Sequence, residues 1–208
     1  MQVAYLNAFK QIFKNKSATA CLIGIIVRVA SLSWTVYYLT FFRVELGFDI
    51  QLAALIAFGV ILVMTLGRLI SGYLIPKVGR KRLPLITMVI EGATLPLIAF
   101  VPELWIALVI LFSISFIGAF TDHSLANLSL EQVPESRGTM MSLHFAVVWL
   151  GATIGAGIGG FVLYLGFGFT GIFLVFSAIT FVAVSIFFFF VKDPCVIMAP
   201  ESTKSKSS

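Results

Sequence analysis

Six long apolar runs constrain the fold of this chain more than any other feature of its sequence. Each is about as long as a transmembrane helix, which needs about 20 mostly apolar residues. The strands of a membrane β-barrel are shorter and alternate between apolar and polar residues, which these runs do not. We therefore predict an all-α integral membrane protein with six transmembrane helices. The spans are expected at about 17–42, 51–76, 83–101, 104–131, 139–167 and 170–191.

The composition excludes the main soluble classes of protein. Of the 208 residues, 60% are hydrophobic and 11% are charged, and the mean hydropathy is +1.07. In a typical soluble domain about a quarter of the residues are charged. A soluble globular domain, a disordered chain and a nucleic-acid-binding domain are therefore excluded. Cys21 and Cys195 make neither a disulfide framework nor a metal site, and we expect no metal and no cofactor.

The basic residues lie almost entirely on one side of the predicted membrane, with Arg43 alone in a loop on the other side. Cytoplasmic loops carry an excess of Lys and Arg, so we predict that both termini are cytoplasmic. Residues 1–16 are then a basic amphipathic linker segment, residues 17–193 the six-helix domain, and residues 194–208 a polar tail expected to be disordered. The basic residues assigned to the cytoplasmic side are Lys10, Lys14, Lys16, Lys77, Arg80, Lys81, Arg82, Arg137, Lys192, Lys204 and Lys206.

The turn between spans two and three carries a recognisable motif. It reads GYLIPKVGRK from Gly72 to Lys81 and resembles the signature loop of the major facilitator superfamily, G-x-L-a-D-r-x-G-r-k. Pro76 stands at the acidic position of that signature, so one element is lost. Without the family, the segment is an ordinary basic loop in which glycine permits a tight turn. The matching residues are Gly72, Leu74, Lys77, Gly79, Arg80 and Lys81.

Two further segments strengthen the resemblance. Residues 134–138 are similar to the family's P-x-x-R-G, and Glu131 lies three residues before that proline. Residues 151–160 resemble the family's G-x-x-x-G-P-x-x-G-G, with Ala156 at the position of the proline. The chain is therefore similar to a major facilitator superfamily transporter over spans two to five.

The resemblance implies a fold and a function. Members usually have twelve spans built as two six-helix halves, each made of two three-helix repeats. This chain looks like one half, and its altered signature and linker-like start are more similar to the C-terminal half, whereas its glycine run favours the first. The implied function is secondary active transport of a small solute by alternating access, as a symporter or antiporter of the plasma membrane, with H⁺ as a candidate coupling ion. The implied partners are the lipid bilayer and a second six-helix half, either another copy or a separate chain.

Other functions stay open. The main alternative is a non-transporting membrane subunit or scaffold, or the remnant of a longer transporter gene. An intramembrane enzyme is disfavoured because the sequence contains neither G-x-S-x-G nor H-E-x-x-H, so no catalytic residues are expected.

Charged residues inside a span are costly, so each one suggests a role. Arg28 lies near the middle of span one and begins a polar stripe at helical spacing. Asp122 of span four lies at similar depth, and we predict a breakable Arg28–Asp122 ion pair, with His123 as a candidate proton relay. The alternatives are ordinary hydrogen bonds between helices, or a wet cytoplasmic mouth around Asp122; His144 is expected at the membrane interface. The predicted substrate and proton cavity comprises Arg28, Ser31, Trp34, Thr35, Tyr37, Tyr38, Asp122, His123 and Asn127.

Three further groups are predicted. Arg68 and Glu91 lie at equal depth in adjacent antiparallel spans and are expected to form a structural ion pair. The glycines Gly151, Gly155 and Gly159 share a face of span five and are expected to contact a partner half, with packing inside the six-helix unit as the alternative. A cytoplasmic charge network is expected to open and close during transport, the alternative being a solvated cluster. That network comprises Gly72, Lys77, Gly79, Arg80, Lys81, Glu131, Glu135 and Arg137.

Overall fold

The computed structural model describes residues 2–101 and 103–193, with side chains from Ala8 onward. Over these residues the chain consists of helices and short turns and contains no strand, which confirms the predicted all-α class. The tail predicted at residues 194–208 lies outside the described residues. The helices are Gln2–Lys14, Lys16–Leu32, Trp34–Val44, Ile50–Val78, Arg82–Thr94, Leu97–Phe100, Leu104–Glu131, Arg137–Tyr164 and Gly168–Phe190, with a 3₁₀ turn at Pro134–Ser136.

Six helical segments are long and apolar enough to cross a membrane, as predicted. The helix Gln2–Lys14 precedes them and is called the N-terminal helix. The basic end of the bundle is the end that holds the N-terminal helix and the turns at residues 79–81 and 132–136. Its assignment to the cytoplasm stays a prediction. In order, the spans are Lys16–Val44, Ile50–Val78, Arg82–Phe100, Leu104–Glu131, Pro134–Tyr164 and Gly168–Phe190.

Span one is interrupted at Ser33, between the two helices that compose it. Ser33 N donates to Ala30 O at 3.2 Å, a three-residue closure that is tighter than the hydrogen bond of an α-helix. Ser33 Oγ also donates to Ala152 O of span five at 3.3 Å. The first helix carries Arg28, whereas the second packs into a hydrophobic core. The regular spacing assumed for the polar stripe therefore ends at Ser33.

The N-terminal helix turns into span one at Asn15. Asn15 Oδ1 accepts hydrogen bonds from Ser17 N at 3.0 Å and Ala18 N at 3.3 Å, which caps the first helix of span one. Asn15 Nδ2 donates to Gln132 O, in the turn after span four, at 3.1 Å. Ile12 of the N-terminal helix is fully buried. The helix is therefore held against the basic end of the bundle.

The spans pack in two groups that share a common core. In one group, span one contacts spans five and six, and in the other, span four contacts spans two and three. Span three contacts span six, which joins the two groups. The largest hydrophobic cluster lies at the end opposite the basic end and includes Trp34, Phe42, Leu111 and Phe173. Because this end is filled by large apolar side chains, the buried charges of the bundle lie nearer its middle.

The glycine stripe of span five packs on span one, inside the six-helix unit. A Cβ atom at Gly151 would lie 2.6 Å from Ile26 O of span one. A Cβ at Gly155 would meet the backbone of the same span, and one at Gly159 would overlap the ring of Tyr37. The absence of side chains is what permits this close approach. The prediction that this stripe faces a partner half is therefore wrong, and the alternative of internal packing is correct.

Candidate functional site

A cavity of about 560 Å³ opens between spans one, four and five. It has the size of pockets that bind small molecules, about 300–1,000 Å³. Most of its lining side chains are apolar, but charged and titratable side chains reach it from four spans. These are Arg28 of span one, Arg68 of span two, Asp122 and His123 of span four, and His144 of span five.

Arg28 is held by Glu91 of span three through two hydrogen bonds. Arg28 Nη1 donates to Glu91 Oε1 at 3.0 Å, and Nη2 donates to Oε2 at 2.8 Å. Both side chains are only 1% exposed. A doubly bonded arginine–carboxylate pair is among the strongest polar contacts in proteins, and the loss of one partner leaves an uncompensated buried charge. The pair therefore connects spans one and three in the interior of the bundle.

This pairing corrects the prediction that Glu91 forms an ion pair with Arg68. The depth of a residue in the membrane does not determine the direction in which its side chain leaves the helix. Glu91 points into the bundle, where it is buried, whereas Arg68 is exposed on the surface of the six-helix unit. Arg68 lines the cavity instead.

Asp122 lies at the cavity wall beside Arg28. Its Oδ1 is 3.5 Å from Arg28 Nη2, and its side chain is 26% exposed. The Arg28–Asp122 contact expected from equal depth is therefore present, but as the second carboxylate of an arginine that Glu91 already holds. The cavity therefore gives access to the carboxylate of Asp122 but not to that of Glu91.

One nitrogen of Arg28 has no partner. In the part of the chain that the structure describes, no atom forms a hydrogen bond with its buried Nε. A guanidinium group has five N–H donors, and leaving a buried donor unpaired costs free energy. Among the described residues, the pairs with Glu91 and Asp122 therefore leave one buried donor of Arg28 unsatisfied.

His123 connects the cavity to span two. Its Nδ1 lies 2.7 Å from Ser71 Oγ and 3.2 Å from Arg68 O. Asn127 Nδ2 donates to His123 O at 2.9 Å, one turn further along the same helix. His123 is thus a hydrogen-bonded side chain of the cavity wall, whereas Asn127 bonds to the backbone of its own helix.

The aromatic residues predicted for the cavity lie elsewhere. Trp34 and Tyr38 are buried in the hydrophobic core, with their ring centroids 6.0 Å apart in an edge-to-face arrangement. Tyr37 Oη donates to Ala156 O of span five at 2.6 Å. All three follow the interruption at Ser33, where span one passes from the cavity into the apolar end of the bundle. Their expected contact with a solute is therefore corrected to packing between helices.

The two small polar residues of the stripe have structural contacts. Ser31 is fully buried, accepts a hydrogen bond from Arg28 Nη1 at 3.4 Å and donates to Arg28 O at 2.6 Å. Ser31 therefore helps to hold Arg28 in place and is not among the residues that line the cavity. Thr35 is half-buried beyond the interruption of span one. Among the stripe residues, Arg28 is the one that lines the cavity.

His144 lines the cavity, which corrects the prediction that it lies at the membrane interface. It is buried, and its Nδ1 lies 3.1 Å from Ser129 Oγ of span four. The sequence does contain a signal for this position, because His144 and Val148 share the helical face of Gly151 and Gly155. Since that face packs on span one, its continuation toward the basic end points at the cavity.

At the basic end the predicted charge network divides into separate contacts. Arg80 and Glu131 form an ion pair between the turn after span two and the end of span four. Glu135 Oε2 accepts a hydrogen bond from Gln11 Nε2 of the N-terminal helix at 2.9 Å. Arg137 is exposed at the start of its helix. The Arg80–Glu131 pair therefore joins the turn after span two to the end of span four.

The other members of the network have local roles. Lys81 Nζ donates to Phe188 O of span six at 3.0 Å. Lys77 Nζ lies 3.8 Å from the ring centroid of Tyr73 on its own helix. Gly79 has a φ of +105°, a backbone conformation that favours glycine, and it makes the turn. Gly72 lies inside span two with open space around it.

The described residues contain no group of three or more His, Cys, Asp or Glu side chains that could hold a metal ion. No curated protein and no solved structure shows significant similarity to the chain. The model of the family described as Major Facilitator Superfamily matches residues 4–206. That family consists of transporters of small solutes and is not an enzyme family. The family match and the six apolar spans together show that the chain belongs to the major facilitator superfamily, as a multi-pass integral membrane protein.

Proposed function

We propose that the chain carries out secondary active transport of a small solute by alternating access, as one half of a two-half transporter. The observation that carries this proposal is the cluster of Arg28, Glu91 and Asp122 beside the cavity. Ionisable residues within a span are rare and mark substrate or ion pathways. Family membership supports a transporter of small solutes.

Arg28 is the proposed contact for the solute, and its two carboxylates have different tasks. Glu91 is buried and holds the guanidinium by two hydrogen bonds. Asp122 is partly exposed at 3.5 Å, so an anionic group of the solute can displace it, or a proton from the cavity can neutralise it. Either event frees one side of Arg28 while the pair with Glu91 stays intact. The Arg28–Asp122 contact can therefore be either formed or broken, and a solute or proton that favours one of these states also favours one packing of the spans.

A second six-helix half is proposed to complete the cavity. Arg68 lies within span two and is exposed on the surface of the six-helix unit. A charged side chain at the centre of a membrane helix costs about 3 kcal/mol on insertion scales, and charged residues face a protein interior or a water-filled cavity. We therefore place the second half, a copy of this chain or a separate one, opposite the face that carries Arg68.

The ion pair between Arg80 and Glu131 is proposed to stabilise one state of the transport cycle. It joins the ends of spans two and four at the basic end, and both side chains keep contact with solvent. Such a partly exposed pair is worth about 1 kcal/mol or less, so it can open and close during rocking of the helices.

A transport assay with the native protein tests the proposal. Membrane vesicles from the native host retain any partner half, and vesicles from a strain without this gene provide the blank. The probe is an isotope-labelled extract of small metabolites, and mass spectrometry identifies the solutes that accumulate. We expect at least one anionic solute to accumulate with the native chain and not with Arg28→Gln.

The matched control is Arg82→Gln, which removes an exposed arginine outside the cavity at the basic end. Equal accumulation with Arg28→Gln and the native chain would reject this cavity as the transport path. Accumulation that does not differ between the native chain and the blank would favour the non-transporting subunit.

A further inference from the structure

A second groove lies at the basic end, between the N-terminal helix and spans one and six. Its volume is about 400 Å³, and its apolar lining includes Phe13, Ile23, Ile186 and Phe190. Phe13 is 57% exposed and Phe190 is 65% exposed. The groove residues of span one lie on the helical face opposite to Arg28, so this groove is separate from the charged cavity.

The elements that form the groove carry several lysines. Lys16 forms part of its wall, and Lys10 and Lys14 are exposed on the N-terminal helix. Lys192 N donates to Ser17 Oγ at 2.8 Å, which brings the end of span six next to the start of span one. Residues 1–44 contain no Asp or Glu, and residues 168–193 contain one, Asp193, so lysines outnumber acidic residues here. The rim of the groove is therefore positively charged, and its wall is apolar.

The N-terminal helix has the side-chain arrangement of a helix that lies in a membrane interface. Phe9 and Phe13 are one turn apart and exposed on one face. Lys10 and Lys14 occupy the next face, and Ile12 is buried against the bundle. Helices of this kind place their aromatic residues at the acyl boundary and their lysines among the headgroups. The arrangement brings the lysines and the groove to the same depth.

We propose that this groove is a binding site for one anionic phospholipid. An acyl chain lies along Ile23, Ile186 and Phe190, and the headgroup phosphate binds the ammonium groups of Lys14 and Lys16. Charge complementarity selects this occupant, because the segments that form the groove and its rim, residues 1–44 and 168–193, contain four lysines and a single acidic residue, Asp193. A zwitterionic lipid gains less from the same lysines.

The test measures lipid binding to the detergent-purified full chain by native mass spectrometry. The probes are dioleoyl phosphatidylglycerol and dioleoyl phosphatidylcholine, which share acyl chains and differ in net charge. We expect the first bound phosphatidylglycerol to bind at least about fivefold more tightly than phosphatidylcholine, because each basic residue near an anionic surface contributes about that factor. We expect the Lys14→Gln/Lys16→Gln double variant to lose this preference.

Two further variants separate the phosphate contact from the apolar groove. Ile23→Trp fills the groove at a position that is 49% exposed, and we expect it to weaken the binding of both lipids. Arg82→Gln removes an exposed cation elsewhere at the basic end, and we expect it to keep the native preference. Gel filtration of each variant checks that the chain is folded.

Three outcomes would overturn the proposal. In the first, the native chain binds both lipids equally. In the second, Arg82→Gln reduces the preference as much as the Lys14→Gln/Lys16→Gln double variant. In the third, Val196→Asp/Ile197→Asp raises lipid binding several-fold, because the segment after span six would then be the occupant of the groove.

Discussion

Arg28 and Glu91 meet across 63 positions of the sequence as a doubly hydrogen-bonded pair. Each side chain is 1% exposed. The pair links the first span to the third, and among the described residues Arg28 has one further carboxylate contact, to Asp122 at the cavity wall. Arg28 thus has one buried partner, Glu91, and one partly exposed partner, Asp122. We expect substitutions of Glu91 to affect mainly the stability of the bundle, and substitutions of Asp122 to affect mainly the response to a ligand.

Removing the inaccessible partner should destabilise the bundle. We expect Glu91→Ala to lower the free energy of unfolding by about 3–5 kcal/mol, because the buried Arg28 then loses both of its short hydrogen bonds and keeps only the longer contact with the partly exposed Asp122. Denaturation of the purified protein in mixed micelles measures this change. The control is Glu103→Ala, at an exposed position, and an equal loss of stability in both variants would contradict the buried pair.

Replacing both members of the pair should restore stability without restoring transport. Buried ion pairs can often be replaced by apolar side chains of similar volume at little cost in stability. We expect the double variant Arg28→Met/Glu91→Leu to unfold within about 1 kcal/mol of the native chain, while solute uptake stays absent. Normal uptake by a stable double variant would show that the solute does not need Arg28.

Removing the accessible partner should affect transport more than stability. We expect Asp122→Asn to keep the unfolding free energy within about 1 kcal/mol, because Glu91 still neutralises Arg28. Uptake should fall about tenfold or more, as expected for a charge-assisted contact worth about 1.5–3 kcal/mol. Initial uptake rates in vesicles measure the effect, and Thr153→Ala on the outer face of span five is the control. Unchanged uptake by Asp122→Asn would remove Asp122 from the mechanism.

The glycine stripe offers a matched pair of variants on one helix. A Cβ at Gly155 would meet the backbone of span one, whereas a Cβ at Gly157 would have open space. We expect Gly155→Ala to lower the unfolding free energy by about 1–3 kcal/mol. Gly157→Ala should leave stability unchanged or raise it by up to about 1 kcal/mol. If Gly155→Ala changed the oligomeric state at native stability, the stripe would face a partner after all.

The ion pair at the basic end should influence the transport rate. We expect Arg80→Gln and Glu131→Gln each to change the unfolding free energy by less than about 1 kcal/mol, because the pair is partly exposed. Each should alter the initial rate of uptake, and the exchanged variant Arg80→Glu/Glu131→Arg should return the rate toward native. Native rates in both single variants would contradict a gating role.

The face that carries Arg68 should lie close to a second half in the membrane. Leu69 and Phe189 are 72% and 74% exposed on spans two and six. In a chain with Cys195→Ser, a photoreactive cross-linker attached to Leu69→Cys should yield a species of higher mass in native membranes. Phe189→Cys should yield none, because we place the second half opposite span two and not opposite span six. Equal cross-linking at both positions would contradict the proposed arrangement.

The fold class follows from the sequence because the bilayer sets the length of an apolar helix. Six runs of sufficient length therefore predict six spans without knowledge of their packing. The depth of a charge follows from the same count, which is why Arg28 and Asp122 are correctly expected at one level. The direction in which a side chain leaves its helix depends on the neighbouring helices, so the sequence alone predicts Arg68 as the partner of Glu91 where the structure has Arg28.

The interruption of span one at Ser33 illustrates a second limit. Helical spacing predicts that Arg28, Ser31 and Tyr38 share a face, which holds only while the helix continues unbroken. Ser33 bonds to Ala152 of another span, a contact that the sequence of span one does not contain. Likewise, the stripe at Gly151 predicts close packing but does not name the helix that packs on it.

The link between Arg28 and Glu91 also bears on how the chain is assembled during synthesis. Both residues belong to the first three spans, whereas Asp122 belongs to the fourth. An arginine that enters the bilayer alone is costly, but here its doubly hydrogen-bonded partner Glu91 is made before spans four to six. The order of residues along the polypeptide thus supplies a counter-ion for insertion first and a cavity carboxylate afterwards.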